Sequence, residues 1–440
     1  MFEEIHGDKK RFLAFVMAIL GLSLSSNIIY LFTMGSTYIT IAEVFSVLLF
    51  MYLLVTKHIN WRHIFAVTGI EFQLFSVMIV ISGLFALITF MDLGLMYRYL
   101  VGVISLAISC TTLIDIISLF EYRLYFIKGC AIGIVINAII CVIQYIFYQR
   151  NIPFNFLYNL FPQEWFHLNI YNFCAQGLFL EPSHMNQFLG SITTVFIGMM
   201  GLKGLGDKFI FVLVLVCCAL STSGTAAVVL VGLILYFLIK RPLGRYVRRS
   251  GFMLFYFVVL SFLLVYIFCS DSSIVNMIIK NVSGYIKLAS EGSNITDSSN
   301  LERVQSMRTA IGLIPQNLLG CGWNMVHTLL QQKTGLGTAS AFSDILEMVL
   351  EIGILGVAFY FASAIKSIVA CLRAKDSESI GVAVAIISIL IMETLVDYAI
   401  NPCIMSILAL GMCFRYKHIN AGRTTNVNGV SYHEYRYHDI

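Results

Sequence analysis

The segment Gly177-Leu178-Phe179-Leu180-Glu181-Pro182-Ser183-His184 sets a carboxylate, a proline, a hydroxyl and an imidazole side by side at the mouth of an apolar helix. A carboxylate or a neutral imidazole can accept the proton of an attacking hydroxyl, the general-base step of group transfer to an alcohol. Ser183 adds a hydroxyl to the same group. Glu181 also has a structural explanation: just before a helix-starting proline it would favour the positive end of the helix dipole, worth about 0.3–1 kcal/mol.

A second group lies further along. Asn300 can cap a helix, Leu301, Val304, Met307, Ile311 and Ile314 recur at helical spacing, and Pro315 stops the run. Arg303 and Arg308 flank this apolar stripe at roughly 60–80° on opposite sides. Arginine offers a planar donor fork suited to phosphate, so the helix reads as interfacial, its arginines reaching toward a phosphorylated ligand. The structural alternative is an ordinary surface helix with Arg303 paired to Glu302. The turn that follows, Pro315-Gln316-Asn317-Leu318-Leu319-Gly320-Cys321-Gly322-Trp323, has two glycines that permit tight turning and close backbone approach to a ligand. His327 stands on the same loop and His167 in the earlier polar segment, both further candidates.

The elements that must hold these groups are apolar helices. Of 440 residues, 59% are hydrophobic and only 12% charged, the composition of a polytopic membrane protein. Apolar runs of roughly 15 to 25 residues fall near 12–33, 39–56, 64–90, 95–119, 126–148, 184–202, 208–221, 224–239, 251–269, 343–366, 379–397 and 402–416. The expectation is therefore an all-α polytopic membrane protein of about 12 transmembrane helices, a single integral membrane domain over 1–440. The first run follows charged residues and has no small-residue cleavage site, so it reads as an uncleaved helix. Two short runs meet at Ser221-Thr222-Ser223-Gly224-Thr225, and the basic cluster from Lys240 to Arg249 favours a hairpin there over one long helix, because the hairpin keeps that cluster inside. With both termini cytoplasmic, two larger loops, 149–183 and 270–342, face outward and carry the short amphipathic helices. The 11 cysteines lie mostly in apolar runs and read as small buried hydrophobes. Membrane-depth charges such as Glu43, Glu71, Asp115, Glu393 and Asp397 read as structural partners or helix-end groups.

Taken in order, Gly-Leu-Phe-Leu-Glu-Pro-Ser at 177–183, Ser-Thr-Ser-Gly-Thr at 221–225, Arg308 followed by Asn-Leu-Leu-Gly-Cys-Gly at 317–322, and Leu-Glu-Ile-Gly-Ile-Leu-Gly at 350–356 resemble the polymerases of O-antigen and capsular polysaccharide. These form the Wzy-type family, within the superfamily that contains the O-antigen ligases. The ordered motifs cover roughly residues 170 to 366. The resemblance implies a GT-C-like fold and an inverting glycosyltransferase without cofactor or metal. It implies a growing glycan passed from undecaprenyl pyrophosphate to a lipid-linked repeat unit on the outer face of the bacterial cytoplasmic membrane. Undecaprenyl-pyrophosphate-linked glycans and membrane lipids are then the partners, with a chain-length-regulating membrane protein as a further one and no nucleic acid.

Under that resemblance Glu181, His184 and Arg308 are the catalytic candidates. Arg303, Gln176, Ser183, Ser223, Asn317, Gly320, Gly322 and His327 are the substrate-binding ones. Relatives often carry Arg where this chain has Gln176 and Gly224, and ligases present a His-Asn pair where it has Phe342-Ser343. The second departure tilts the resemblance from ligase toward polymerase. A lipid-linked oligosaccharide flippase or other transporter would show internal repeats and charges near the bilayer midplane, whereas here polar residues concentrate in two unequal loops.

Overall fold

The computed structural model describes residues 7–34, 37–56, 61–90, 122–152, 154, 160, 174–240, 298–323, 325–334, 341, 343–394 and 402–424. In chain order the described elements are α1 (Gly7–Ser23), strands β1 (Tyr30–Met34) and β2 (Thr37–Thr40), α2 (Ile41–Val55), α3 (Trp61–Phe90), α4 (Arg123–Gln149) and α5 (Pro182–Met200). After these come α6 (Leu205–Ser221), α7 (Thr225–Lys240), α8 (Ser298–Leu313) with a 3₁₀ turn at Ile314–Gln316, α9 (Val326–Thr334), α10 (Asp344–Ala374), α11 (Ser377–Met392) and α12 (Pro402–Thr424). Three stretches, Trp61–Ala86, Arg123–Gln149 and Asp344–Ala374, are long and apolar enough to cross a membrane. Shorter apolar helices run over Arg11–Ser23, Ile41–Val55, Thr225–Lys240 and Ser377–Met392.

Nine of the expected runs coincide with described helices, while 95–119 and 251–269 lie outside the described residues. The run at 12–33 is corrected: its helix ends at Ser23 and the chain continues as an antiparallel β-hairpin. The cause is local polar chemistry. Ser23 Oγ donates to the Leu20 carbonyl at 2.7 Å and Ser25 Oγ to that of Leu22 at 2.6 Å, side-chain bonds that compete with the continuing helix ladder. The hairpin then delivers Thr40, which exchanges capping hydrogen bonds with Glu43 at the start of α2. Residues 343–366 form part of a longer helix that runs on to Ala374, where Lys366 pairs with Glu71 of α3.

Small residues set the closest packing. Gly129 and Gly133 of α4 lie four apart on one face, where a Cβ would meet the backbone of Ala18 and the side chain of Ser25. This is the small-residue spacing that lets apolar helices approach closely. Gly198 of α5 and Gly381 of α11 do the same against Ser377 and Thr194, and Thr194 Oγ1 donates to the Gly381 carbonyl at 2.9 Å.

Two long helices are broken by a glycine in a nearly identical conformation: Gly69 in α3 (φ 70°, ψ 167°) and Gly353 in α10 (φ 76°, ψ 168°). A break orphans the carbonyls before it and the amides after it, and in apolar surroundings these groups need other partners. At Gly69, Arg415 Nη2 of α12 donates to the carbonyls of Thr68 at 2.7 Å and Val67 at 3.4 Å, while its guanidinium pairs with Glu71. At Gly353 the 317–323 turn fills the gap. Cys321 N–H donates to Leu350 O at 2.7 Å, Gly322 N–H to Glu351 O at 2.9 Å, and Ile354 N–H is taken by Leu318 O at 3.3 Å.

Ala at 353 would place a Cβ on the Leu318 carbonyl from a left-handed backbone. Gly353→Ala is expected to lower stability by about 1–3 kcal/mol, read as the thermal midpoint of the purified protein in detergent. Gly312, whose Cβ would meet open space in α8, is the control: Gly312→Ala should hold or raise the midpoint.

Candidate functional site

The residues that lead to Glu181 form a buried, irregular backbone segment, Cys174 to Leu180, and a buried segment of that kind must find a partner for each N–H. Side-chain amides supply them. Asn137 and Gln144 of α4 lie seven residues apart, hence on one helix face. Gln144 Oε1 accepts from the N–H of Gln176 at 3.1 Å and of Gly177 at 3.2 Å. Asn137 Oδ1 accepts from Leu178 N–H at 2.8 Å, while its Nδ2 donates to the carbonyls of Ser25 and Gly133, each at 2.9 Å. Asn27, between α1 and β1, accepts from Leu180 N–H at 2.8 Å. Gly177 has φ 59°, and a Cβ there would collide with Asn137 Oδ1, so glycine is required on both counts.

On its other side the segment is tied to the α6–α7 hairpin. Ala175 N–H donates to Leu220 O at 3.0 Å, and Cys174 Sγ lies 3.0 Å from Thr222 Oγ1. Burial pushes the Cys174 thiol above its ordinary value, so it meets Thr222 as a neutral group. Thr222 takes a left-handed conformation that ends α6, as the Ser-Thr-Ser-Gly-Thr sequence implied. Asn186 of α5 donates to Ser221 Oγ and Thr225 Oγ1, both at 3.1 Å. Ser223 Oγ lies 2.8 Å from Thr225 Oγ1 at the hairpin tip.

This frame fixes the first group of candidates together. Glu181 is the exposed N-cap of α5 with Pro182 in the first turn, and its side chain caps no backbone amide. Its Oε2 instead accepts from Ser183 Oγ at 2.9 Å. His184 is buried, and its Nδ1 lies 3.2 Å from Asn27 Nδ2. Gln176 is buried, with no hydrogen-bond partner for its Nε2 among the described residues.

The second group is built on α10. Asn317 caps the 3₁₀ turn and sends Nδ2 to Leu313 O at 3.0 Å. The close approach that Gly320 permits is to the α10 backbone at Glu351, and that of Gly322 is to Ala86 of α3. The helix expected after Asn300 forms as α8, but it begins at Ser298, so Asn300 lies inside it rather than capping it, and its apolar face is corrected. Ser306, Ala310 and Leu313 are buried, while Ile311 of the expected stripe is 54% exposed. The helix turns this face inward because it packs on α10 and α9. Arg308 lies on the exposed side, as does His327 on α9; the side chain of Arg303 and all of His167 lie outside the described residues.

Of the membrane-depth charges, Glu43 and Glu71 are helix-cap and ion-pair partners. Glu393 accepts from Tyr360 Oη at 2.5 Å, and its carbonyl receives the Ile345 N–H that opens α10. Asp115 and Asp397 lie outside the described residues.

Sequence reasoning missed Asn27, Asn137, Gln144 and Asn186. The available signal was the amide side chain inside an apolar run, at positions where aliphatic residues cost nothing to bury.

A helical protein with spans apolar enough for a membrane, carrying a hydroxyl- and amide-lined segment at a helix mouth, is the class these observations define. Residues 209–361, less than half the chain, match the family model described as O-antigen ligase. The match runs from α6 through α10, takes in the hairpin, α8, the glycine turn and the Gly353 break, and is consistent with a member of the O-antigen ligase-like superfamily. No curated protein matches the chain.

If the amide clamp holds the segment in place, Asn137→Leu leaves the Leu178 N–H without its acceptor and removes the side-chain donor to the Ser25 carbonyl. The alkylation rate of Cys174, the one partly exposed cysteine among those described, should then rise about 5- to 150-fold, the equivalent of about 1–3 kcal/mol of local stability. An unchanged rate would show that the clamp does not hold the loop.

Proposed function

We propose that the chain is a polysaccharide repeat-unit polymerase of the bacterial cytoplasmic membrane, transferring a growing glycan from undecaprenyl pyrophosphate to a lipid-linked repeat unit at the outer face. The observation that carries this reading is a junction. The O-antigen ligase match begins in α6, and the α6–α7 hairpin inside it is hydrogen-bonded to the segment that presents Glu181 and His184. Hydroxyls of Ser183 and Ser223 and the amide of Gln176 around that segment are the donors and acceptors that a sugar's hydroxyls pair with.

In the reaction, a hydroxyl oxygen of the acceptor sugar attacks the anomeric carbon of the donor glycan from the face opposite the leaving group, inverting its configuration. The bond from that carbon to the phosphate oxygen breaks, and its electron pair leaves with the lipid diphosphate. The hydroxyl proton passes to a base, for which Glu181 and His184 are the candidates. Positive charge facing the departing diphosphate would take the role a metal plays elsewhere, and Arg308 and Arg303 of the second loop are the candidates for that task. Asn317, the Gly320–Gly322 turn and His327 are the further substrate-binding candidates on that side. Both termini are assigned to the cytoplasm, and a membrane protein that regulates chain length is the expected partner.

The second reading is a ligase that moves finished glycan from the lipid carrier to another acceptor, and the description of the matched family favours it. The replacement of the ligase His-Asn pair by Phe342-Ser343 favours the polymerase. Deleting the gene separates the two: a polymerase deletion leaves single repeat units attached to acceptor or carrier, and a ligase deletion leaves free polymer on the carrier.

In the native host, Glu181→Gln should lower chain extension about 10²- to 10⁴-fold and Arg308→Ala about 10²- to 10³-fold. The readout is surface polysaccharide resolved by length, with protein level checked by immunoblot. Normal long chains from both variants at normal protein levels would show that the site lies elsewhere.

A further inference from the structure

Asn27 lies between α1 and the hairpin, 6% exposed, and touches the site at two points. Its Oδ1 accepts the Leu180 N–H at 2.8 Å, and its Nδ2 lies 3.2 Å from His184 Nδ1. A carboxamide oxygen only accepts and its nitrogen only donates, so the Leu180 N–H decides which end of the amide faces which partner. Reversing the amide would set two donors against each other at Leu180. With Nδ2 donating, Nδ1 of His184 must be the accepting nitrogen, and the neutral imidazole carries its proton on Nε2.

We propose that Asn27 is a positioning residue that locks His184 in the Nε2–H tautomer, making His184 a hydrogen-bond donor to an acceptor oxygen of the glycan substrate and leaving Glu181 as the base. Neither ring nitrogen of the locked imidazole can take the proton of an attacking hydroxyl: Nδ1 is engaged by Asn27, and Nε2 already bears hydrogen. The same side chain ties the backbone one residue before Glu181, so one amide sets the register of both candidate groups. This assignment rests on the polymerase reading for its substrate, but the tautomer itself does not.

The experiment compares Asn27→Asp with Asn27→Leu in the full-length protein. Aspartate keeps an acceptor for the Leu180 N–H while replacing the donor that faces Nδ1 by an acceptor; leucine removes both. Nitrogen NMR of histidine-labelled protein in lipid nanodiscs, at mildly alkaline pH where the imidazole is neutral, reports which nitrogen is protonated. The His184 signals are identified by their loss in His184→Gln. The wild type should show Nε2–H, Asn27→Asp should show Nδ1–H, and Asn27→Leu should show a mixture. A wild type with Nδ1–H, or identical tautomers in wild type and Asn27→Asp, would overturn the lock.

Chain extension in membranes supplies the second readout. Asn27→Asp should slow it at least about tenfold through the wrong tautomer, while Asn27→Gln, which keeps both the donor and the acceptor on a longer stem, should recover part of the loss. A switched tautomer with unchanged extension would overturn the donor role of His184. Wild-type membranes that extend no chain would overturn the polymerase reading and leave the tautomer result standing.

Discussion

Irregular stretches of buried backbone among the described residues must find hydrogen-bond partners inside an apolar environment, and two of the three places where they do so carry candidate site residues. A buried N–H without a partner costs several kcal/mol in hydrocarbon. The segment from Cys174 to Leu180 carries a run of such groups and is neither helix nor strand, so α4 gives up two apolar positions to Asn137 and Gln144 to serve it. The same demand at Gly353 draws the 317–323 turn onto α10, and at Gly69 it draws Arg415 onto α3. Glycine makes the breaks possible, but the partners make them tolerable.

This constraint turns backbone chemistry into site geometry. Once Leu178 and Leu180 are fixed by Asn137 and Asn27, the chain enters α5 at one angle, and Pro182 starts the helix with Glu181 outside it. Glu181 is therefore held at an exposed mouth while His184, one turn in, is turned against Asn27. On the other side, the exchange of hydrogen bonds between Leu318, Cys321 and Gly322 and the broken helix α10 fixes the 317–323 turn, and with it the end of α8, the helix that carries Arg308.

The helices were largely legible because apolar runs bounded by charge or turn residues leave few other structures in lipid, and Ser-Thr-Ser-Gly-Thr marked the hairpin correctly. The end of α1 was misjudged because Ser23, Ser25 and Ser26 are short polar residues in a run that still scores as apolar, yet their hydroxyls bind carbonyls and stop the helix. The breaks at Gly69 and Gly353 were illegible for a related reason: a lone glycine in an apolar helix is common, and only the partners waiting in α12 and in the 317–323 turn reveal a break. The face of α8 was misassigned because the stripe through Ile311 and the stripe through Ser306, Ala310 and Leu313 compete, and contact with α10 chooses the second. Glu181 and His184 were found as a motif. What could not be read was that they differ in environment, one exposed and the other buried against Asn27, because that difference comes from a residue more than 150 positions away.

In the proposed reaction, that difference separates roles which the sequence leaves interchangeable. A base that must meet an incoming hydroxyl gains from exposure at the mouth, where the substrate arrives, and from a neighbour such as Ser183 that orients it by one hydrogen bond. A group whose task is to hold an oxygen still gains from burial, because a donor fixed by packing and by a second hydrogen bond loses little entropy when the ligand binds. Glu181 and His184 satisfy these two descriptions in turn, three residues apart on one helix start. The separation follows from the amide clamp, since a helix mouth that could shift by a residue would interchange what is exposed and what is buried.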